Sequence, residues 1–157
     1  MDDNRPAAQD YGTMVVKVIN RSAYELPNYE TPLAAGMDVR ADIAEGIVLA
    51  PLCRALVPTG LFVELPAGYE MQVRPRSGLA AKYGVTVLNA PGTIDAGYRG
   101  EIKVPLINLD PEHTAVFEPG DRIAQLVIQR YVQAEFIEAS VLPGSDRAER
   151  GFGSSGV

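Results

Sequence analysis

The sequence predicts an all-β domain, a jelly roll or distorted β-barrel with one short helix. Three observations predict it. Short runs rich in Val, Ile, Tyr and Phe recur along the chain. Pro, Gly, Asn and Asp bound them, and those residues punctuate turns. One brief window alone reads as helix. Many short strands with regular breaks are the pattern of a sandwich or barrel.

The first expected strand is residues 13–20 (TMVVKVIN). Residues 46–50 and 54–58 follow. Residues 60–65 (GLFVEL) and 69–74 (YEMQVR) are separated by the turn signal PAG. Residues 84–89 (GVTVLN), 101–108 (EIKVPLIN), 114–117 and 123–131 (IAQLVIQRY) complete the set. All favour strand by their β-branched and aromatic content. Pro105 cannot donate to a ladder, so its strand is expected to be an edge there, or bulged. Residues 77–83 (SGLAAKY) are the expected helix, with Ser77 as its cap.

A chain of 157 residues predicts one domain. At 46% hydrophobic and 22% charged it has ordinary globular composition. The fifteen glycines and twelve prolines favour turns over long helices. Net charge is −6 and no dense Lys/Arg run occurs, which argues against a nucleic-acid partner. A triphosphate is repelled at long range by this balance, so a phosphate site must be built from local donors. No run of eighteen apolar residues exists, so no membrane helix is expected. Residues 1–12 are polar and acidic, without the pattern of a signal peptide, and read as a loose tail. Residues 13–143 form the expected domain. Residues 144–157 are polar and Gly/Ser-rich, and taken alone read as a disordered tail. With Cys53 as the single cysteine no intrachain disulfide forms, and a reducing cytoplasm is the simplest compartment. Between apolar Leu52 and Arg54, Cys53 is expected to be an inert, packed thiol.

Four segments hold residues suited to chemistry. In Arg74–Pro75–Arg76–Ser77–Gly78, the guanidinium fork suits phosphate, Ser adds a hydroxyl, and Gly permits close backbone approach. The same residues also read as a helix start with solvated arginines. Residues 89–100 (NAPGTIDAGYRG) read as a hairpin. Asp95, on the buried side behind Ile94, can act as a base on water. Tyr98 can lie against a sugar, and Asn89 carries the donor and acceptor that a pyrimidine edge requires. An Asx turn at Asp95 and a packed tyrosine account equally for the pattern. In residues 36–42, Asp38 and Asp42 are four apart and can lie near a hard metal, or can be solvated turn acids. In residues 147–156 (RAERGFGSSG), Phe152 stands between glycines and can stack on a flat ring, while the arginines can clamp a phosphate; a flexible tail is the other reading. His113 reads as a surface turn residue, and Asp121 with Arg122 as a structural pair.

In order, these segments resemble the five motifs of the trimeric dUTPase family. Ala35–Gly36–Met37–Asp38 is similar to the first motif, and Arg74–Gly78 with Leu79–Ala80 to the second. Residues 84–102 (GVTVLNAPGTIDAGYRGEI) resemble the third, residues 120–125 (GDRIAQ) the fourth and residues 150–156 (RGFGSSG) the fifth. The resemblance runs from about residue 14 to the end.

It implies a dUTPase-like β-clip jelly roll in a homotrimer. Three sites would lie at subunit interfaces, each closed by the C-terminal arm of another subunit. The implied reaction is hydrolysis of dUTP to dUMP and diphosphate, which limits uracil in DNA and supplies dUMP for dTMP synthesis. By the same resemblance Asp95 activates water for attack on the α-phosphorus. Asn89 and the hairpin backbone at Gly92, Thr93 and Ile94, reaching to Lys103, read uracil. Tyr98 packs under deoxyribose. Arg76, Ser77 and Gly78 hold the phosphates with Gln125 nearby. Asp38 touches the waters of a Mg²⁺ held chiefly by the substrate. Phe152 covers uracil, with Gly153 and Ser154 beside it.

Two departures stand out. The family's fifth motif opens R-G-x-G-G-F-G; here an ungapped match places Arg147 at the arginine, and a gapped match places Arg150 there. Both remain candidates for the γ-phosphate, with Arg147 preferred. Gly97 stands where the family often has Asp. A related fold carries out dCTP deamination through a glutamate in the strand after the third motif. Pro105 occupies that position here.

Overall fold

The computed structural model describes residues 12–145 and Ala148. Ten strands and one helix lie in this span: β1 Lys17–Asn20, β2 Met37–Arg40, β3 Ile47–Leu49, β4 Arg54–Glu64, β5 Tyr69–Arg74, α1 Ser77–Tyr83, β6 Val85–Val87, β7 Gly92–Ile94, β8 Glu101–Asn108, β9 Ala115–Phe117 and β10 Arg122–Arg130. One four-stranded sheet has the order β1-β4-β8-β6, a second the order β2-β10-β5-β7, and β3 pairs with β9. Every pairing is antiparallel. The fold is all-β, as expected.

The core lies between the two larger sheets. Strand β8 buries alternate residues, Ile102, Val104, Leu106 and Asn108. The three apolar ones share one core cluster with Val57 and Val85 of the same sheet and Val39, Met71, Val73, Ile123 and Leu126 of the other. Period-two alternation sends one face inward.

Several expected boundaries move, each for a backbone reason. Residues 54–58 and 60–65 read as two strands because Pro58 and Gly60 look like breaks. The chain instead continues as β4. Its register with β8 jumps from Pro58↔Lys103 to Phe62↔Glu101. The buried Thr59 hydroxyl bridges the jump, donating to the Ile102 carbonyl at 2.6 Å. Gly60 takes φ +68° there, and a Cβ would meet the Ser22 nitrogen at 2.7 Å. Residues 37–40 and 92–94 read as turns but are strands, because β10 and β5 supply their ladders.

Pro105 has strands on both sides, yet the expectation for it holds in part. Its carbonyl accepts the Leu88 N–H at 2.8 Å. Proline cannot return that bond, and β6 ends at Val87. The ladder between β6 and β8 therefore stops where the chain must leave it.

The helix has the expected bounds, but Ser77 is not its cap. Arg76 is the N-cap and makes no side-chain capping bond. Gly84 closes the helix in the left-handed conformation at φ 64°. Cys53 is exposed, contrary to expectation. It ends the tight turn from Ala50, whose carbonyl it bonds at 3.1 Å, and Leu52 at φ 58° swings it outward. His113 sits in a surface turn, as expected. Asp110 accepts the Glu112 and His113 N–H groups there, both at 2.8 Å. Residues 131–145 carry no strand or helix and are exposed.

Asn108 ties the small β3–β9 sheet to the body. Its amide donates to the carbonyls of Leu49 at 3.0 Å and His113 at 2.8 Å, and its oxygen accepts the Asp110 N–H at 2.9 Å. Asn108→Ala leaves three buried or half-buried partners unpaired. It should cost about 3 kcal/mol or more, read from denaturant unfolding. The Asp110 carboxyl is held below its usual pKa by the N–H groups of Glu112 and His113. A depressed carboxylate stabilises above its unfolded pKa and loses that contribution as pH falls through the folded one. Asp110→Ala should therefore lower the unfolding midpoint at neutral pH, with the difference closing in acid.

Candidate functional site

The second sheet aligns three of the expected site residues. Gln125 of β10 lies opposite Asp38 on one side and Arg74 on the other. Arg76 follows β5 by two residues and turns back over this row. Its Nε donates to Asp38 Oδ1 at 3.1 Å, and its Nη1 to the Arg122 carbonyl at 3.1 Å. Gln125 Nε2 donates to the same Asp38 oxygen at 3.4 Å. Asp38 Oδ2 faces Arg122 Nη1 at 3.3 Å. The Asp38 side chain is 12% exposed and that of Arg76 26%. Arg76 is thus no solvated helix-flanking arginine. Arg74 is exposed and forks onto Gln72 Oε1 at 2.9 and 2.7 Å.

Ser77 and Gly78 follow directly in the first turn of α1, exposed on the surface. The first amides of a helix have no intrahelical acceptor. A Cβ on Gly78 would meet nothing within 4 Å. Together with Arg76 these groups form a patch of donors open to an anion.

The expected hairpin is wider than a tight turn. β6 and β8 are its paired arms, with Val87 opposite Leu106. Between them the chain crosses to the other sheet, where Gly92–Ile94 pairs with β5, and then returns. A Cβ on Gly92 would stand 3.3 Å from Val73 Cβ and 3.4 Å from Asn89 Nδ2, so glycine brings these two strands close. Asn89 and Thr93 are exposed, whereas Gly92 and Ile94 are buried. The exposed Lys103 ammonium lies 3.5 Å from Glu101.

Asp95 is exposed, which corrects the buried-side expectation. Strand alternation buries Ile94 and turns its neighbour outward. The Asp95 carbonyl, not its carboxylate, accepts the Tyr98 N–H at 3.0 Å. This is a β-turn with Asp at its first position, and no Asx turn forms. Among the described residues the carboxylate has no hydrogen-bond partner. Tyr98 is 45% exposed, and its hydroxyl donates to the Glu101 carbonyl at 3.0 Å. A Cβ on Gly100 would collide with that phenol. The ring is therefore propped beside the turn rather than packed in the core.

The two groups stand apart. Ile94 is opposite Met71, so Asp95 is level with Glu70, while Gln125 is opposite Arg74. Four strand residues separate those levels, about 13 Å. The Asp38, Arg76 and Gln125 cluster meets at the far end of β5 from Asp95.

Asp42 does not join Asp38. Its carboxylate lies beside Gly60. No group of three or more His, Cys, Asp or Glu side chains suited to a metal occurs among the described residues. Asp121 and Arg122 do not pair with each other. Asp121 accepts the Glu118 N–H at 2.8 Å, and Arg122 turns to Asp38 and Glu30. Neither Arg122 nor Glu30 was singled out for the site, because contacts across 84 and 92 residues leave no local pattern. Arg147, Arg150, Phe152, Gly153 and Ser154 lie outside the described residues. A cleft of about 90 Å³ lined by Tyr24, Leu26, Glu30, Asp38, Arg40 and Arg122 adjoins the cluster and does not reach Asp95.

Residues 22–156 match the family model described as dUTPase. The chain is 66% identical over 144 residues to the deoxyuridine 5'-triphosphate nucleotidohydrolase of Bifidobacterium longum subsp. infantis, covering 92% of this chain and 90% of that one. It is 58% identical over 144 residues to the protein of that name from Cytophaga hutchinsonii, covering 92% and 93%. Its structure resembles a dUTPase of Staphylococcus bacteriophage 80alpha with dUpNHpp, at TM-score 0.80 and 29% identity, over 92% of this chain and 100% of that one. It also resembles a dUTPase of phage phi11 of S. aureus that coordinates a structural Mg(II) ion, at TM-score 0.72 and 25% identity, over 82% and 98%.

Gly97 occupies the third position of the turn at Asp95. A Cβ there would meet nothing within 4 Å, and its φ is not in the left-handed region. Gly97→Asp should fold and change stability by less than about 0.5 kcal/mol in thermal unfolding. Gly100→Ala must move the Tyr98 ring and should cost more than Tyr98→Phe, which removes a single hydrogen bond of about 1 kcal/mol.

Proposed function

This chain belongs to the dUTPase family, and from that membership we propose that it is a dUTP pyrophosphatase in which Asp95 activates the attacking water. The water oxygen bonds to the α-phosphorus as its proton passes to the Asp95 carboxylate. The bond from that phosphorus to the bridging oxygen breaks, and diphosphate leaves dUMP behind. The observation that carries this reading is a carboxylate turned outward on a hydrogen-bonded turn, with no partner among the described residues and a propped tyrosine beside it.

Tyr98 offers its ring to deoxyribose and leaves no room for a 2′-hydroxyl. Asn89, with the backbone of Gly92, Thr93 and Ile94 and with Lys103 nearby, reads uracil. Arg76, Ser77, Gly78 and Gln125 hold the phosphates. Phe152 covers the base, with Gly153 and Ser154 beside it, and Arg147 or Arg150 meets the γ-phosphate. In this reading residues 13–143 are the body, 1–12 a tail and 144–157 an arm that excludes water from the site.

The residues present fit Mg²⁺ bound with the substrate. Magnesium keeps most of its waters and rides on phosphates, so it needs one nearby carboxylate rather than a protein cage. Asp38 is that carboxylate, among the phosphate donors, and would hold the ion through water. When bound, the ion would neutralise charge growing on the departing diphosphate.

The separation of Asp95 from Arg76 supports sites shared between copies of this chain, and the resemblance to the trimeric family makes that assembly a homotrimer. A base and a phosphate cradle serving adjacent phosphorus atoms must lie closer than the length of β5. A second copy, presenting its own Asp95 turn to the Asp38 cluster, would meet that need. No helix of the described residues is long and apolar enough to cross a membrane. The single cysteine suits a reducing cytoplasm, and the acidic balance argues against a nucleic-acid partner.

A panel of dUTP, dTTP, UTP and dCTP with Mg²⁺ and product identification tests the reading. dUMP and diphosphate from dUTP alone are expected; ammonia from dCTP would point to deamination instead. Asp95→Asn should keep nucleotide affinity and lose about 10²-fold or more in kcat. Equal turnover in mutant and parent would remove Asp95 from its role. Deletion of residues 144–157 should leave a folded oligomer with little activity, checked by scattering and diphosphate release.

A further inference from the structure

We propose that Arg122 is a positioning residue for the phosphate end of this site, holding Asp38 and Arg76 in their working places. The proposal rests on the dUTPase reading above. Arg122 opens β10, opposite Arg40, and the register with β2 slips between Arg122 and Ala124. Such an irregularity re-aims a side chain. Here it lets one residue touch both charged members of the cluster. The Arg122 carbonyl accepts Arg76 Nη1 at 3.1 Å. Its own Nη1 lies 3.3 Å from Asp38 Oδ2 and 3.4 Å from Glu30 Oε1.

The two arginines divide the Asp38 carboxylate between them. Oδ1 takes Arg76 and Gln125, and Oδ2 takes Arg122. A carboxylate this shielded from water is costly to leave unpaired. Phosphates that draw Arg76 away remove a cation from Oδ1. Arg122 keeps Oδ2 compensated, so Asp38 would hold its orientation for a metal bound with the substrate while Arg76 turns to the phosphates. Without Arg122, Asp38 retains Arg76 and the phosphates must compete for it. Glu30, in the loop between β1 and β2, holds the same Nη1 of Arg122. Nη1 makes both acid contacts, so a lysine ammonium can replace it.

The test is dUTP hydrolysis against dUTP and Mg²⁺ concentration, together with calorimetric binding of a non-hydrolysable imido analogue of dUTP. Arg122→Ala should raise KM and the analogue Kd about tenfold, the scale of losing a group that orients a ligand-binding side chain. kcat should stay within about threefold, since binding before the chemical step is what suffers. Arg122→Lys should bring KM back to within about threefold of the parent. Glu30→Gln, a change at an exposed side chain, should raise KM by about threefold. It carries the test alone if Arg122→Ala does not fold. Unchanged KM and Kd in Arg122→Ala, a loss confined to kcat, no recovery with lysine, or unchanged KM in Glu30→Gln would each overturn the proposal. A parent that neither hydrolyses dUTP nor binds the analogue would sink the dUTPase reading itself, and this inference with it.

Discussion

Strand β5 lies between β10 and β7, and those two pairings decide where the candidate site residues fall. On one edge β10 sets Gln125 against Arg74, and β2 beyond it sets Asp38 against Gln125. On the other edge β7 sets Ile94 against Met71. A slip of one residue in either ladder would turn every side chain of that strand to the opposite face. The length of β5 then separates the Asp38 cluster from Asp95. That spacing of about 13 Å is what the proposal of sites shared between copies of this chain rests on.

Local backbone irregularities do the aiming. Pro105 ends the ladder between β6 and β8, and the chain leaves for the other sheet at that point. Gly92 lets it settle close against Val73. The β-turn from Asp95 to Tyr98 returns it, and the Glu101 carbonyl holds the tyrosine ring upright. At the other end, the register shift in β10 swings Arg122 toward Asp38. Thr59 and Gly60 carry β4 through a similar shift without loss of the sheet. None of these positions is a break in the fold. Each is a place where a missing donor or an extra residue redirects the chain while its neighbours supply the hydrogen bonds.

Electrostatics in the cluster are a matter of sharing. Arg76 and Arg122 compensate a single carboxylate from its two sides, and Gln125 fills in with a neutral donor. Such an arrangement is poised rather than inert. In the proposed function a phosphate takes Arg76 from Asp38 while Arg122 remains. The half-buried setting of Asp38 and Arg76 makes their contact stronger than a surface ion pair would be.

The sequence by itself determined the fold class, the helix at Ser77–Tyr83 and most of the strands. Their signals are local: β-branched residues, alternation, and Gly or Pro at the ends. It also singled out Asp38, Arg76, Gln125, Asp95 and Tyr98, because those residues sit in motifs read along the chain. It erred where a neighbouring strand supplies the answer. The segments 37–40 and 92–94 are strands only through β10 and β5, Pro58 and Gly60 look like breaks until Thr59 is paired with Ile102, and Cys53 is exposed through the conformation of Leu52. Only the tertiary structure decided that Asp95 faces outward, that Asp38 is shared by two arginines, and that the two groups lie at opposite ends of one strand. Those facts depend on register and on contacts between residues tens of positions apart, and neither leaves a trace in local composition.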